Sequence, residues 1–203
     1  MLYGFAWWVC RIYLLLVRRM KITGVENVPL QGGLVLISNH VSYWDPVIIG
    51  CALPRKRHIY FMAKQELFKI PLLGRLINKL GAFPVKRDGA DRSAIRTALE
   101  HLAEGRVVGI FPEGTRSKTG DIQEPHMGAA MLSIKGSVPV LPVAVIGSRG
   151  FLGKVNIVFG RPLRQTTHGN VDSKSRRSEL NELSRKIMHH VAELMEAKSG
   201  DIS

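Results

Sequence analysis

The 203-residue sequence is poor in cysteine and in acidic side chains. Its two cysteines, Cys10 and Cys51, lie far apart and fit no metal-ligand pattern, so they provide no disulfide framework and favour a reducing, cytosolic setting. Only 16 aspartates and glutamates balance 29 lysines and arginines, which leaves a formal net charge of +13. This excess predicts attraction to a polyanion, either a nucleic acid or an anionic membrane surface.

The sequence also lacks a long hydrophobic run. Residues 1–17 are strongly apolar, but a spanning helix needs about 20 such residues, and Arg11 at mid-bilayer would cost about 2.5 to 3.5 kcal/mol. Positive charge follows this segment instead of preceding it, unlike a secretory signal. Gly4, Arg11 and Arg18 fall seven apart and would share one helix face. The pattern predicts a helix in the membrane interface with its arginines toward anionic head groups, or else a terminal helix packed on the protein's own core.

Several motifs of nucleotide-binding proteins and hydrolases are missing. There is no phosphate-binding loop of the Gly-four-residues-Gly-Lys type, and Gly147, Gly150 and Gly153 have the wrong intervals for a dinucleotide fingerprint. Ser148 lacks the glycine two residues before it that a hydrolase nucleophile elbow requires. The pair His189-His190 has no companion ligands, and we expect no metal site.

Short apolar runs alternate with helix-spaced patterns from Gly24 onward, which predicts an α/β fold. We expect one layered domain over residues 23–203, with a largely parallel or mixed central sheet flanked by helices, and a membrane-associated helix over residues 1–22 before it. The predicted strands are 34–37, 59–62, 82–85, 107–111, 140–146 and 155–159, and the predicted helices include 91–104, 128–134 and a final stripe from Leu180 to Leu194. Pro84 indicates an edge or irregular position for the third of these strands.

His40 follows the first predicted strand, where open α/β sheets bind their ligands. Its imidazole can exchange a proton near neutral pH. Asp45 comes five residues later, and a turn between the two would bring the carboxylate onto the ring nitrogen. Because Asp45 precedes Pro46, an ordinary helix start is the alternative explanation for this aspartate.

Two arginines stand at the ends of later predicted strands. Arg87 closes the stretch that begins at Gly81, and Arg116 lies in Phe111-Pro112-Glu113-Gly114-Thr115-Arg116-Ser117. A guanidinium suits bidentate binding of phosphate, so the arginines and the histidine together predict a phosphate held beside a base. Solvated surface charge is the alternative for Arg87, and a salt bridge to Arg116 is the alternative for Glu113.

Four stretches together resemble the glycerophospholipid acyltransferase family, and within it the 1-acylglycerol-3-phosphate acyltransferases. The first is Asn39-His40 followed by Asp45, and the second runs from Gly81 to Arg87. The third, from Phe111 to Ser117, matches the family motif without a change, and the fourth runs from Val138 to Val143. Pro125 and His126 differ from the family, which often has phenylalanine and lysine there.

The resemblance implies that His40 removes the proton of the sn-2 hydroxyl of lysophosphatidic acid while Asp45 orients the ring. An acyl thioester, acyl-CoA or acyl carrier protein, would be the co-substrate, and no cofactor is implied. Phosphatidic acid would form at the cytoplasmic face of a membrane, where the enzyme is peripheral or monotopic. The implied substrate-binding residues are Lys64, Arg87, Glu113, Gly114, Thr115, Arg116 and Pro142.

Other functions are compatible with parts of this pattern. The same motifs could serve acylation of glycerol-3-phosphate or another lysophospholipid. A basic nucleic-acid-binding protein would explain the charge, but no recognition motif is present, so we expect no nucleic-acid partner. A non-catalytic membrane-binding protein would tolerate replacement of His40.

Overall fold

The structure is a computed structural model that describes residues 2–86, 91–164 and 173–199. Its helices are α1 (Leu2–Leu16), α2 (Asp45–Ala52), α3 (Leu73–Lys79), α4 (Arg92–Ala103), α5 (Gly128–Gly136) and α6 (Ser173–Ser199). Its strands are β1 (Lys21–Thr23), β2 (Leu34–Ser38), β3 (Ile59–Lys64), β4 (Phe83–Val85), β5 (Val107–Ile110), β6 (Val140–Ile146) and β7 (Asn156–Phe159). Short 3₁₀ helices occupy Val25–Asn27 and Gln65–Lys69.

The seven strands form one mixed sheet in the order β1-β7-β6-β2-β5-β3-β4. Strands β6, β2, β5, β3 and β4 are mutually parallel, whereas β7 runs antiparallel to β6 and β1 runs parallel to β7. The carboxyl ends of the five parallel strands therefore meet at one edge of the sheet, here called the carboxyl edge.

Both faces of the sheet are covered by helices. Along β2, Leu34 and Leu36 pack toward α1 and α2, while Val35 and Ile37 pack toward α4, α5 and α6. All five residues of β2 are buried, which explains why its sequence is continuously apolar instead of alternating. The sequence thus identified the central strand correctly from its composition alone.

The predicted architecture, a single α/β domain with a mixed sheet between helices, is confirmed. The strand containing Pro84 lies at the edge of the sheet, as expected. Strand β1 was not predicted, because its three residues Lys21, Ile22 and Thr23 are too short a run to give a periodic signal.

The predicted orientation of the first helix is wrong. Arg18 lies just after α1 and is fully buried, and the Arg11 guanidinium donates to the carbonyl of Cys51 on α2. These arginines therefore face the protein and not lipid head groups. The exposed side of α1, here called its outer face, is apolar and consists of Phe5, Trp8, Val9, Ile12, Leu15 and Leu16. Within the described part of the chain no helix is both long and apolar enough to cross a membrane.

Candidate active site

The carboxyl edge brings together three segments that are far apart in the sequence. Strand β2 lies between β5 and β6, so the residues that follow these three strands are neighbours. His40 comes two residues after β2, and the turn from Phe111 to Ser117 follows β5. The sheet order therefore places the predicted base beside the predicted phosphate-binding turn.

His40 and Asp45 form a hydrogen-bonded pair. The distance from His40 Nδ1 to Asp45 Oδ2 is 2.8 Å, and the carboxylate is fully buried whereas the imidazole is 13% exposed. Since the carboxylate accepts, Nδ1 carries the proton and Nε2 is the basic nitrogen available to a substrate. This geometry is that of a general base held by an orienting carboxylate.

The turn between the two residues explains how the pair forms. Asp45 is the first residue of α2, and its Oδ2 also accepts from the backbone N–H groups of Val41 and Ser42 at 2.8 and 2.7 Å. These amides precede the helix, so the carboxylate turns back onto the His40 loop. Asp45 Oδ1 is buried and has no hydrogen-bond partner in the described residues. The helix-start explanation therefore does not account for this side chain.

His40 is fixed by the turn after β5 as well as by Asp45. The Phe111 ring stacks on the imidazole with a centroid distance of 4.0 Å and an interplanar angle of 19°. The His40 N–H donates to Glu113 Oε1 at 2.9 Å, and the Ser117 N–H donates to the His40 carbonyl at 2.7 Å. His40 is thus held at its backbone and across its ring, so its side chain is already restricted in conformation.

Glu113 is a buried carboxylate that joins two loops. Its Oε2 accepts from the Gln123 N–H at 3.3 Å while Oε1 accepts from His40. Burial raises the pKa of Glu113 above its ordinary value, although the backbone N–H groups of His40 and Gln123 act in the opposite direction. Glu113 is not in a surface salt bridge with Arg116, because both of its oxygens are bonded to backbone amides.

Asn39 connects the loop after β2 to the neighbouring strand β6. Its amide nitrogen donates to the Val145 carbonyl and its amide oxygen accepts from the Val145 N–H, each at 2.9 Å. The side chain is buried, so both groups of Val145 depend on it for hydrogen bonding. Asn39 therefore sets the position at which the chain leaves the sheet, immediately before His40.

Arg116 is the exposed cation of the turn after β5. Its Cζ lies 3.5 Å from the centroid of the Tyr43 ring, and Nη2 donates to the Tyr43 hydroxyl at 2.7 Å. Tyr43 belongs to the loop between His40 and Asp45. The guanidinium therefore sits beside the histidine loop, with further N–H groups that could bind an anion.

Gly114 and Thr115 complete this turn. Gly114 has a φ of +67°, and a Cβ there would lie 2.9 Å from the His126 ring. Glycine is required for both reasons, because side chains disfavour this backbone conformation and the ring occupies the space. Thr115 is exposed next to Arg116. His126 itself is anchored by its N–H, which donates to the Pro112 carbonyl at 2.8 Å.

The other predicted binding residues are placed differently. Lys64 ends β3 at the carboxyl edge, where its ammonium lies 3.7 Å from Glu66. Pro142 is buried within β6, four residues before the strand ends, and its ring lies against Gly160. Arg87 lies outside the described residues. No cluster of side chains suited to a metal ion occurs in residues 2–86, 91–164 and 173–199.

Sequence reasoning missed the partners of the site residues. Phe111 was recognised as part of a motif but not as the ring that stacks on His40, and Tyr43 was not singled out at all. An aromatic residue inside the His40–Asp45 interval was the available signal for Tyr43, since aromatic faces attract guanidinium groups. Nothing in the sequence indicates which arginine such a ring would meet.

Several known proteins are similar to this chain in sequence. A family model described as Acyltransferase matches residues 19–146. The chain is 34% identical to the 1-acyl-sn-glycerol-3-phosphate acyltransferase of Bacillus subtilis over 169 residues, which cover 80% of this chain and 83% of that protein. It is 31% identical to the enzyme of the same name from Borreliella burgdorferi over 154 residues, covering 74% and 60% of the two chains.

A solved structure is similar over almost the whole chain. The crystal structure of the 1-acyl-sn-glycerophosphate (LPA) acyltransferase PlsC from Thermotoga maritima superimposes with a TM-score of 0.70 at 28% sequence identity. The match covers 98% of this chain and 78% of that one.

Proposed function

This chain belongs to the acyltransferase family, and from that premise we propose that it transfers an acyl chain from a thioester to the sn-2 hydroxyl of lysophosphatidic acid. The product is phosphatidic acid, an intermediate of phospholipid biosynthesis. The observation that carries this proposal is the His40–Asp45 pair at the carboxyl edge, with Nε2 of the imidazole available to a hydroxyl group.

In this reaction His40 Nε2 takes the proton of the acceptor hydroxyl as its oxygen attacks the thioester carbonyl. The carbon–sulfur bond then breaks, and the sulfur takes the proton from the His40 imidazolium and leaves as a thiol. A thiol with an ordinary pKa of about 8.5 departs more readily than an alkoxide, so a positioned base can supply much of the rate enhancement. Asp45 stabilises the imidazolium that forms. No covalent acyl-enzyme is needed, because the acceptor alcohol is the nucleophile.

The acceptor's phosphate would bind to Arg116, whose exposed guanidinium lies beside the histidine loop. Lys64 is a weaker candidate at the same edge, and Arg87 is proposed from its motif alone. Gly114 and Thr115 would lie along the glycerol portion. We assign Glu113 an indirect part, since its carboxylate holds the His40 backbone. Pro142 would act through the packing of β6.

The acyl donor requires no separate cofactor in this scheme. Acyl-CoA and acyl carrier protein are both acidic partners, and a chain with a formal charge of +13 would attract either. A comparison of the two donors in the same assay would identify the one used.

We further propose that the enzyme works on the cytoplasmic face of a membrane as a peripheral or monotopic protein. The support is the outer face of α1, where six large apolar side chains are exposed on a single stripe. Residues 1–22 would serve as the membrane-associated segment and residues 23–203 as the catalytic domain.

The test is thiol release from acyl-CoA in the presence of lysophosphatidic acid in detergent. We expect release by the native chain and none above background by His40→Ala, provided that the variant keeps its native circular dichroism spectrum. Unchanged turnover in His40→Ala would contradict the proposed base. Glycerol-3-phosphate and other lysophospholipids, tried in parallel, would distinguish the alternative acceptors.

A non-catalytic protein gives a different outcome in the same experiment. A basic nucleic-acid-binding or membrane-binding protein would release no thiol with any donor or acceptor, and His40→Ala would leave its binding unchanged.

A further inference from the structure

A loop at the carboxyl edge carries an exposed apolar tip that the proposed reaction does not use. Residues 147–153 follow β6, which pairs with β2, the strand that precedes His40. At the tip of this loop Phe151 is 68% exposed and Leu152 is 80% exposed. Two large adjacent apolar side chains in solvent are unfavourable unless something covers them.

The loop is held in place by Arg18, a fully buried guanidinium. Its Nε donates to the Gly153 carbonyl at 2.6 Å, Nη1 to the Gly150 carbonyl at 2.8 Å and Nη2 to the Gly147 carbonyl at 2.7 Å. Burying a cation is costly unless its donors are satisfied, and here backbone oxygens of one loop satisfy them. We call residues 147–153 the clamped loop. These three hydrogen bonds of Arg18 hold the clamped loop in the conformation that exposes its tip.

The tip lies beside the end of α1 and also contacts the loop between His40 and Asp45. The Tyr13 hydroxyl near the end of α1 donates to the Phe151 carbonyl. The Trp44 ring stacks on Tyr13 with a centroid distance of 5.4 Å and meets Phe151 edge-on at 5.8 Å. Trp44 directly precedes Asp45, so its two ring contacts link the end of α1 and the tip to the His40–Asp45 loop.

Basic residues flank this apolar tip along the chain. Arg149 and Lys154 flank the tip in sequence and are exposed, as are Arg19 and Lys21 beyond the end of α1. The Lys21 N–H donates to the Val155 carbonyl at 2.9 Å, which places the two basic segments side by side. An apolar tip within a basic rim matches the chemistry of a bilayer that contains anionic lipid.

We propose that the clamped loop is a second membrane-contact element, which inserts Phe151 and Leu152 into an anionic bilayer beside the outer face of α1. This inference rests on the membrane association put forward under the proposed function. It adds that the contact is made at two points, and that the second point lies against the residue next to Asp45. The carboxyl edge would consequently be held at the membrane surface where a lipid acceptor is found.

The experiment measures co-sedimentation of the full chain with vesicles. The double variant Phe151→Ser/Leu152→Ser is compared with Leu30→Ser, a matched control that is also 68% exposed but lies before β2 at the opposite edge of the sheet. With vesicles of phosphatidylcholine and phosphatidylglycerol we expect the double variant to partition about tenfold less than the native chain, because the two apolar side chains are no longer buried in the bilayer. Leu30→Ser should partition like the native chain.

A second variant tests the charge component. Lys154→Gln should weaken binding to the phosphatidylglycerol vesicles by about threefold to fivefold while leaving binding to pure phosphatidylcholine unchanged, since about 1 kcal/mol accompanies each basic residue at an anionic surface. Equal loss on both vesicle types would overturn the charge component of the proposal.

The outcomes separate this inference from the proposed function. Equal partitioning of the double variant and Leu30→Ser would overturn the second contact, even if the native chain releases thiol as expected. Absence of thiol release by the native chain would instead contradict the proposed reaction. If the double variant abolished self-association of the chain in light scattering without changing vesicle binding, the tip would be a protein interface and the proposal would be wrong.

Discussion

The Arg116 guanidinium lies over the Tyr43 ring, with its Cζ 3.5 Å from the ring centroid, and also donates to the hydroxyl of the same residue at 2.7 Å. This relationship ties the proposed phosphate-binding side chain to the loop that carries the base. An arginine already held in one place loses less conformational freedom when an anion binds. Tyr43 would therefore act through Arg116 as a positioning residue.

Replacement of Tyr43 should accordingly affect acceptor binding more than chemistry. A cation–π contact at an exposed site is worth about 0.5 to 1 kcal/mol, so Tyr43→Ala should raise the acceptor KM about twofold to fivefold with little change in kcat. Tyr43→Phe keeps the ring and should show a smaller increase. The measurement is initial rate against lysophosphatidic acid concentration, with the donor KM as control. A fall in kcat at unchanged acceptor KM would argue against this part for Tyr43.

Asp45→Asn should remove the charge beside the imidazole while keeping an acceptor oxygen for the Val41 and Ser42 amides. We expect kcat to fall about 10²-fold to 10⁴-fold, because the imidazolium formed in the reaction is no longer stabilised. Added to His40→Ala, the same substitution should cause almost no further loss, since the two residues act as a unit. Multiplicative losses in the double variant would show that Asp45 acts independently of His40.

Asn39→Ala should reduce both stability and activity. It leaves the N–H and carbonyl of Val145 buried without partners, and each lost partner costs about 1 to 3 kcal/mol. The free energy of unfolding, measured in urea, should therefore decrease by about 2 kcal/mol or more. We also expect a lower kcat, because His40 would shift. Asn27→Ala is the control, since Asn27 donates one bond to the Phe159 carbonyl away from the site. It should lose less stability and no activity.

Gly114→Ala should disturb the turn after β5 in two separable ways. The positive φ costs about 1 kcal/mol for any side chain, and the new methyl group would press against the His126 ring. We expect lower stability and a raised acceptor KM. Adding His126→Ala should recover part of the lost stability and lower the acceptor KM again, because it removes the contact with the ring but not the backbone strain. If the second substitution brought no recovery, the ring contact would have no role.

Asp91 provides a test of pH dependence outside the site. It caps α4, and the backbone N–H of Lys86, with those of Ala94 and Ser93, lowers the pKa of its carboxyl group. A lowered pKa means that the stabilisation is complete above the ordinary aspartate value and is lost as the pH falls through the lowered value. Asp91→Ala should therefore cost about 1 kcal/mol near pH 7 and less in strong acid.

The measurement for Asp91 is urea unfolding at neutral and at strongly acidic pH. Asp91→Asn keeps a capping oxygen without the charge, so its stability relative to Asp91→Ala should not depend on pH. A cost of Asp91→Ala that stayed constant down to strongly acidic pH would show that the charged form of the cap is not the source of stability.

Local patterns in the sequence were sufficient for most of the secondary structure and for the prediction that Asp45 contacts the His40 ring. Apolar runs such as Leu34 to Ile37 fix buried strands because each residue has a covered face, and the spacing from His40 to Asp45 suits a tight turn. Strand β1 escaped detection because three residues carry too little periodicity. The sequence from Phe111 to Ser117 was also predicted to form a turn, and the structure places this turn against His40.

Only the tertiary structure decided what these residues contact. Sequence periodicity groups the residues of α1 into faces, but which face turns inward depends on what the helix packs against. Here Arg11 and Arg18 turn inward because they donate to carbonyls of α2 and of the clamped loop. Likewise the strand order, not the spacing along the chain, brought Phe111 onto His40 and Arg116 onto Tyr43. Contacts between residues that are near in sequence can be predicted from the sequence, whereas contacts between distant side chains depend on how the sheet and its helices assemble.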